Sequence, residues 1–379
     1  MKILNNTPLL FFIIPIALFF ASCFSEKKYI RILEAGITNI EKKYIKDKSL
    51  SVYKIYPKNN DGVLTIEGET DNPIAYSKIF QLTDSLSKTE SIINNVLMLP
   101  DTLLGDSNFA VVNVSVTPIR EKPKHSSQMV DQAIMGNIIT LLREESEWYL
   151  SKTHYDYIGW IHKTGLFICD SIGKNIWINN ADYIINDLNT LIYSRPNNTS
   201  QPIADAVLNN ILIGEKQDED WMSVILPDGR SGYITKNSMT LNINYSKIVK
   251  KRETILYKAY RMTGTPYLWG GNSTKGNDCS GFTQTVYKAN GIQLPRDARQ
   301  QALEGILIYP NKTWSNIFPG DLLFFGKNDR ISHVGISTGG KEFVHQGGMV
   351  KINSLDEKDE NFSADRLKTF LFIKRILDS

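Results

Sequence analysis

The feature that most limits how this chain can fold is a weak internal repeat in its middle third. The segment EWYLSKTHYDYIGWIHKTGL (147–166) aligns with DWMSVILPDGRSGYITKNSM (220–239). Each copy has an acidic residue before Trp, a β run, a turn, and then Gly, an aromatic residue and Ile. Such self-similarity is typical of one small structural unit used twice. Short alternating runs separated by turn residues predict strands, so we expect two small β domains, over 108–170 and 171–244.

The flanking regions need cores of their own, because a chain of 379 residues exceeds the ~250 residues at which single domains usually stop growing. Residues 24–107 combine helical periodicity with two strand patterns, which predicts a small α+β region without a catalytic constellation. Residues 245–379 open with an amphipathic helix and predict one further domain. Lys and Arg total 43 against 40 Asp and Glu, a balance that disfavours nucleic acid as a partner.

The N-terminus predicts export. One Lys precedes an apolar run from Leu9 to Phe20, which is short for a membrane span and suits a signal-peptide core. The segment ends in Phe-Ala-Ser-Cys and resembles the lipobox of bacterial lipoproteins. We therefore expect a signal peptide at 1–22, lipidation of Cys23 and a lipid anchor on the periplasmic or cell-surface side of a membrane. A plain secretory signal and an uncleaved anchor are the alternatives.

The chemistry that we expect of this chain depends on one cysteine, Cys279. In GNDCSGFTQTVYKANG (276–291), Asp278 is a candidate N-cap and Gly291 a candidate C-terminal cap, so Cys279 falls in the first turn of a helix. Unpaired N–H groups and the helix dipole favour a thiolate there, which predicts a lowered thiol pKa and a site that can receive an oxyanion. Cys169 is far away in a different predicted domain, so we expect both cysteines to be free thiols.

Two histidines of the same domain are candidates for the acid and base. His333 opens HVGIST and His345 lies in EFVHQG, and Gly339-Gly340 between them is a hairpin signal. A two-residue loop would place the two rings on opposite faces of the hairpin, whereas a three-residue loop with a left-handed Gly places them on one face. We predict a same-face, diagonal pair with Cys279 packed over it. A zinc site built from these three side chains is disfavoured, because closely spaced metal-ligand doublets are absent from the sequence.

Five motifs in order give the C-terminal domain a specific resemblance. They are TPYLWGG (265–271), DCSGF (278–282), LPRDARQQ (294–301), PGDLLFF (319–325) and SHVGI (332–336). Together they resemble the NlpC-type cell-wall cysteine peptidases, a papain-like family. The resemblance implies an α+β fold with helices packed on an antiparallel sheet. It assigns Cys279 as nucleophile, His333 as base and acid, and His345 as the residue that orients the imidazole. Tyr267, Asp278 and Ser280 match positions beside the catalytic cysteine.

The repeated β domain is similar to bacterial SH3-like domains, and two of them before such a catalytic domain resemble the γ-D-glutamyl-L-diamino acid endopeptidases of Bacteroidales. In that subgroup a carboxylate of the first SH3-like domain helps to hold the free amine of L-Ala. Here Gln128 stands in the corresponding segment, and Asp131 is the carboxylate that could substitute. Tyr155 and Tyr157, in the HYDYIG turn, are further candidates for contact with substrate.

The resemblance implies hydrolysis of the amide bond between γ-D-Glu and the diamino acid, diaminopimelate or Lys, in peptidoglycan stem peptides or muropeptide fragments. We expect no cofactor, no metal and a monomer. Two alternatives stay open at this point. One is an N-acetylmuramoyl-L-alanine amidase with the same catalytic fold, and the other is a non-catalytic, lipid-anchored protein that binds peptidoglycan.

Overall fold

The computed structural model describes residues 14–60, 63–87, 91–241, 251–328 and 330–377. The predicted signal peptide lies partly outside these residues, and so does the side chain of Cys23, so its lipidation stays a prediction. Among the helices of these ranges, none is both long and apolar enough to cross a membrane. The chain divides into two compact units, Met1–Thr102 and Leu103–Ser379.

The first unit is a small α+β fold. Its elements in chain order are α1 (Ile14–Tyr44), β1 (Tyr53–Asn60), β2 (Val63–Thr70), α2 (Pro73–Leu86) and β3 (Ile92–Met98). Strand β1 runs antiparallel to β2, and α2 connects β2 to the parallel strand β3. Asn72 caps α2 by accepting from the N–H groups of Ile74 and Ala75. Apolar side chains of all five elements form one core.

The second unit begins with two antiparallel sheets of seven strands each. The first β domain consists of β4 (Phe109–Val112), β5 (Val116–Arg120), β6 (Met129–Ile134), β7 (Ile138–Glu145), β8 (Trp148–Lys152), β9 (Ile158–His162) and β10 (Leu166–Cys169). Helix α3 (Ser171–Asn180) follows. The second β domain consists of β11 (Tyr183–Ile185), β12 (Asn189–Tyr193), β13 (Pro202–Val207), β14 (Ile211–Lys216), β15 (Trp221–Ile225), β16 (Ser231–Thr235) and β17 (Met239–Leu241).

The two β domains share one topology. Their strand orders are β10-β4-β7-β8-β9-β5-β6 and β17-β11-β14-β15-β16-β12-β13, which coincide when each strand of the first is matched to the strand seven places later. The aligned Gly-aromatic-Ile segments fall on β9 and β16, which are matched strands. The prediction of one β unit used twice is therefore confirmed.

The last part of the chain is an α+β domain built on a six-stranded antiparallel sheet of order β20-β25-β21-β22-β23-β24. The strands are β18 (Asn272–Ser273), β19 (Gly276–Asn277), β20 (Ile306–Ile308), β21 (Leu322–Lys327), β22 (Arg330–Gly339), β23 (Glu342–Gln346), β24 (Val350–Ser354) and β25 (Phe370–Arg375). The helices are α4 (Arg252–Arg261), α5 (Cys279–Lys288), α6 (Ala298–Gln301) and α7 (Ala364–Thr369). The short pair β18 and β19 forms its own hairpin. Buried residues of α4 and α5 pack against β21, β22 and β23, so the core lies between the helices and the sheet.

Candidate active site

Helix α5 places Cys279 at its first residue, as its sequence predicts. The side chain of Asp278 caps the helix by accepting from the N–H of Gly281 at 2.7 Å. A Cβ at Gly281 would overlap the carbonyl oxygen of Gly271, so only glycine allows the helix to lie this close to the preceding loop. The thiol of Cys279 is partly exposed and accepts hydrogen bonds from the backbone N–H groups of Ser280 and Val334. The nucleophile candidate thus faces the first half of β22.

The two histidines lie on one face of the β22–β23 hairpin. His345 is paired with Gly335 and is therefore diagonal to His333, and the two rings are joined by a 2.8 Å hydrogen bond between Nε2 of His333 and Nδ1 of His345. The predicted same-face pair is confirmed. The predicted three-residue loop is wrong, because Gly339 pairs with Glu342 across a two-residue turn. The unpaired Thr338 forms a bulge that restores the parity.

A chain of hydrogen bonds sets the tautomer of each imidazole. Asn353 donates from Nδ2 to the carbonyl of Asn361 at 2.7 Å, which turns its Oδ1 toward Nε2 of His345 at 2.9 Å. Since that oxygen can only accept, Nε2 of His345 carries the proton and Nδ1 accepts from His333. The proton of His333 is then on Nε2, and its Nδ1 keeps a lone pair. This is the arrangement that a base beside a thiol requires.

The pKa of the Cys279 thiol differs from the predicted one. Burial, followed by the Asp278 carboxylate, raises the pKa of Cys279 to about 11, against the opposing N–H groups of Val334 and Ser280. Burial, the charge of Arg366 and the neighbouring His345 hold the pKa of His333 well below its usual range. The predicted lowering of the thiol pKa by the helix terminus is therefore wrong, because desolvation outweighs the N–H donors. Thiol and imidazole are both neutral in the free protein.

A buried arginine links the start of helix α5 to the first β domain. Arg296 donates from Nε to Asp131 at 2.6 Å and from Nη2 to Asp278 at 2.7 Å, and its Nη1 reaches Ser280 Oγ at 3.1 Å. Asp131 also accepts from the hydroxyl of Tyr155 at 2.5 Å. Burial raises the pKa of Asp131 to about 6, opposed by Arg296 and Tyr155, so the pair is ionised at neutral pH.

The thiol opens into a cleft of about 510 Å³, which we call the catalytic cleft. Six of the predicted site residues line it: Gln128, Tyr157, Tyr267, Asp278, Cys279 and Ser280. Asp131 and Tyr155 do not reach its surface, because their polar atoms are turned inward to Arg296 and to each other. Through Arg296, which lines the cleft, they stabilise its wall from the buried side.

Three further residues, for which we predict no role from the sequence, also lie at this site. Arg296 and Asp297 lie in LPRDARQQ, and Trp269 lies in TPYLWGG, both of which are motifs of the resemblance. The carboxylate of Asp297 accepts from the hydroxyl of Tyr157 at 3.2 Å and from Arg299 at 3.0 Å. The motifs alone marked these positions as relevant, since the partner of Arg296 is 165 residues away along the chain.

Within the described ranges, no three His, Cys, Asp or Glu side chains are grouped so as to hold a metal ion. Cys169 and Cys279 are both free thiols, as predicted.

Two family models match the chain. The NlpC/P60 family matches residues 264–368, and the Bacterial SH3 domain matches residues 115–166. The first match contains Cys279, His333 and His345. The second covers most of the first β domain.

Relatives extend the likeness to most of the chain. "Dipeptidyl-peptidase 6" of Lysinibacillus sphaericus is 30% identical over 276 residues, which are 70% of this chain and 98% of the relative. "Gamma-D-glutamyl-L-lysine dipeptidyl-peptidase" of Bacillus cereus (strain ATCC 10987 / NRS 248) is 25% identical over 58% of this chain and 68% of its own length. The crystal structure of an NlpC/P60 family protein from Bacillus cereus ATCC 10987 superposes with a TM-score of 0.62 over 71% of this chain and all of that one, at 21% identity. The last likeness concerns the fold alone.

Proposed function

The chain belongs to the NlpC/P60 family, and we propose that it is a cysteine peptidase that hydrolyses the bond between γ-D-Glu and the diamino acid of peptidoglycan stem peptides. Membership and the names of the relatives support a peptidase that acts on peptidoglycan. The observation that carries the cysteine mechanism is the hydrogen-bonded His333–His345 pair beside Val334, whose backbone N–H donates to the thiol of Cys279.

The reaction starts from a neutral thiol and a neutral imidazole. As Sγ of Cys279 attacks the γ-carbonyl carbon of D-Glu, the thiol proton moves to Nδ1 of His333. The N–H groups at the start of α5 receive the oxyanion. His333 then gives the proton to the nitrogen of the diamino acid, the C–N bond breaks and a thioester remains. Water, deprotonated by His333, attacks the thioester, and the thiol is restored as the γ-carboxylate leaves.

His345 keeps His333 in the productive tautomer. Because Nε2 of His333 donates to His345, the imidazole cannot rotate its basic nitrogen away from the thiol without losing that bond. The imidazolium formed during attack is stabilised in the same way, since its Nε2–H keeps its acceptor. Asn353 and the carbonyl of Asn361 complete the chain.

The first β domain supplies one end of the catalytic cleft, and we assign that end to the L-Ala residue of the stem. Gln128 and Tyr157 line it together with Asp297. A carboxylate is the natural partner of a free ammonium group. We therefore assign the contact with the free amine of L-Ala to Asp297 and not to Asp131, for which the sequence suggested it. Gln128 contributes a neutral amide.

Product analysis tests the proposal. L-Ala-γ-D-Glu-meso-diaminopimelate is incubated with the full chain, and we expect mass spectrometry to detect intact L-Ala-γ-D-Glu and free diaminopimelate. Cys279→Ala should abolish the products, whereas the matched variant Cys169→Ala, which changes the other free thiol, should not. Release of the intact stem peptide, with L-Ala at its N-terminus, from muramoyl peptides would instead indicate an amidase. An unchanged rate in Cys279→Ala would refute the cysteine mechanism.

We also propose that the protein is exported and lipid-anchored through Cys23. A cell-wall hydrolase family supports export, and the apolar run that ends at Cys23 supports the anchor. Metabolic labelling with a radioactive fatty acid should mark the wild-type chain and leave Cys23→Ser unlabelled. Label retained by Cys23→Ser would contradict the anchor.

A further inference from the structure

A second groove lies beside His345. Its volume is about 620 Å³, and we call it the basic groove. Four cationic side chains and one carboxylate contribute to its lining: Lys327, Lys351, Arg366, Lys368 and Asp365. His345 and Gly347 line it as well. None of the four cations has an ion pair with another residue of the described ranges, so no ion pair neutralises their charge at the groove.

The basic groove reaches the edge of the catalytic pair. A Cβ at Gly347 would lie 2.7 Å from Cε1 of His345 and 3.0 Å from Cε of Lys351, so the space beside the imidazole exists because this residue is glycine. The carbonyl of Gly348, the next residue, accepts from the backbone N–H of Tyr267 at 2.9 Å, and Tyr267 lines the catalytic cleft. The loop that lines the basic groove at Gly347 is therefore hydrogen-bonded to a residue that lines the catalytic cleft.

Of the four cations of the basic groove, Arg366 is the one that acts on both histidines. Its guanidinium lies 5.7 Å from the centroid of the Phe325 ring, and that ring lies 5.7 Å from the ring of His333. Its charge lowers the pKa of His333 and, with that of Lys351, the pKa of His345. Both cations are thus close enough to act electrostatically on whatever bond is broken beside the imidazoles.

We propose that the basic groove binds the leaving half of the substrate through its carboxylates, with Arg366 and Lys351 as the principal contacts. The inference rests on the proposed function, because that function places the acyl half in the catalytic cleft and leaves this side for the departing amine. The two candidate diamino acids differ in charge. Diaminopimelate carries a second carboxylate at its distal centre, whereas Lys carries only an ammonium group there. A groove with excess positive charge therefore selects diaminopimelate over Lys.

The test is a ratio of specificity constants, because a ratio cancels effects on the chemistry common to both substrates. kcat/KM is measured for L-Ala-γ-D-Glu-meso-diaminopimelate and for L-Ala-γ-D-Glu-L-Lys. We expect the wild-type ratio to favour diaminopimelate about tenfold or more, the range that one hydrogen bond between charged groups provides. Amidation of the distal carboxylate should remove most of this preference.

Variants assign the preference to the groove. Arg366→Gln and Lys351→Gln should each bring the ratio closer to 1, and Lys351→Glu should lower it further by adding a repulsive charge. The matched control is Lys312→Gln, which removes the same charge from an exposed lysine of this domain that lines neither groove. Since Arg366 also acts on His333, the Lys351 variants decide the matter if Arg366→Gln is poorly folded or inactive.

The outcomes separate the two proposals. If wild type cleaves neither tripeptide at the γ-D-Glu bond, the proposed function is wrong. If it cleaves them, but the ratio is near 1 or stays unchanged in the Lys351 variants, the basic groove does not bind the leaving carboxylate and the proposed function stands. If the ratio falls as much in Lys312→Gln as in Lys351→Gln, the preference comes from the net charge of the protein and not from the basic groove. That result would overturn the inference.

Discussion

Replacing Asp131 with Asn removes one of the two carboxylates that hold the buried guanidinium of Arg296, and we expect the free energy of unfolding to fall by about 3 kcal/mol. Breaking a buried ion pair by removing one partner costs about 3–5 kcal/mol, because the other charge stays buried without compensation. The lower end applies here, since the amide oxygen of Asn keeps an acceptor for Nε and Asp278 remains in contact with Nη2.

An exposed ion pair of equal length provides the matched control. Lys275 and Asp205 also join the catalytic domain to a β domain at 2.6 Å, but their side chains keep 44% and 41% of their exposure. Exposed pairs contribute about 0.2–1 kcal/mol, so Asp205→Asn should cost less than about 1 kcal/mol. The comparison holds distance constant and varies burial.

Urea unfolding followed by tryptophan fluorescence measures both variants. All six Trp residues lie in Leu103–Ser379, so the signal reports on the unit that contains both ion pairs. The reasoning is refuted if Asp131→Asn lowers the free energy of unfolding by less than about 1 kcal/mol, or by no more than Asp205→Asn does. The buried charge of Asp131 would then not be what holds Arg296 in place.

Three further predictions concern the catalytic residues. His345→Ala should lower kcat about a hundredfold, a loss typical of impaired acid–base catalysis, and single-turnover kinetics on the folded variant should show it. The rate of Cys279 alkylation by iodoacetamide should keep rising between pH 8 and 11, following its raised pKa; a plateau near pH 7 would indicate a preformed thiolate. Burial lowers the pKa of His345 to about 4 and holds that of His333 well below its usual range, so both rings are still neutral at ~6.5, the ordinary pKa of His. A pH profile should therefore show kcat/KM constant through that value and lower near pH 4, where His345 takes up a proton.

The signals that sequence supplies are local. The N-cap Asp278 and the repeated Gly-aromatic-Ile segments each depend on residues a few positions apart, and each has the predicted structure. The Gly-Gly signal predicted the hairpin correctly, but not the length of its loop. The bulge at Thr338 was missed because the residue has no distinctive turn chemistry; only the pairing of both strands defines it.

Contacts between domains and degrees of burial could not be predicted from the sequence. Asp131 and Arg296 are 165 positions apart, and no periodicity connects a strand of one domain to a loop of another. The prediction of a lowered pKa for the Cys279 thiol is wrong for a related reason. The helix terminus is visible in the sequence, whereas the desolvation that outweighs it depends on how closely the hairpin covers Cys279.

The buried ion pair between Asp131 and Arg296 explains how a β domain can take part in substrate selection. Strand β6 carries Asp131 into contact with Arg296, and its neighbour Gln128 lines the catalytic cleft. Gly270 lets this strand come close, since a Cβ there would lie 2.6 Å from the carbonyl oxygen of Met129. Because the same guanidinium holds the cap of the nucleophile helix, the separation between the wall of the cleft and the thiol is fixed by a buried, charged linkage. The length of peptide that fits between them is then a property of the paired domains, which neither domain would have alone.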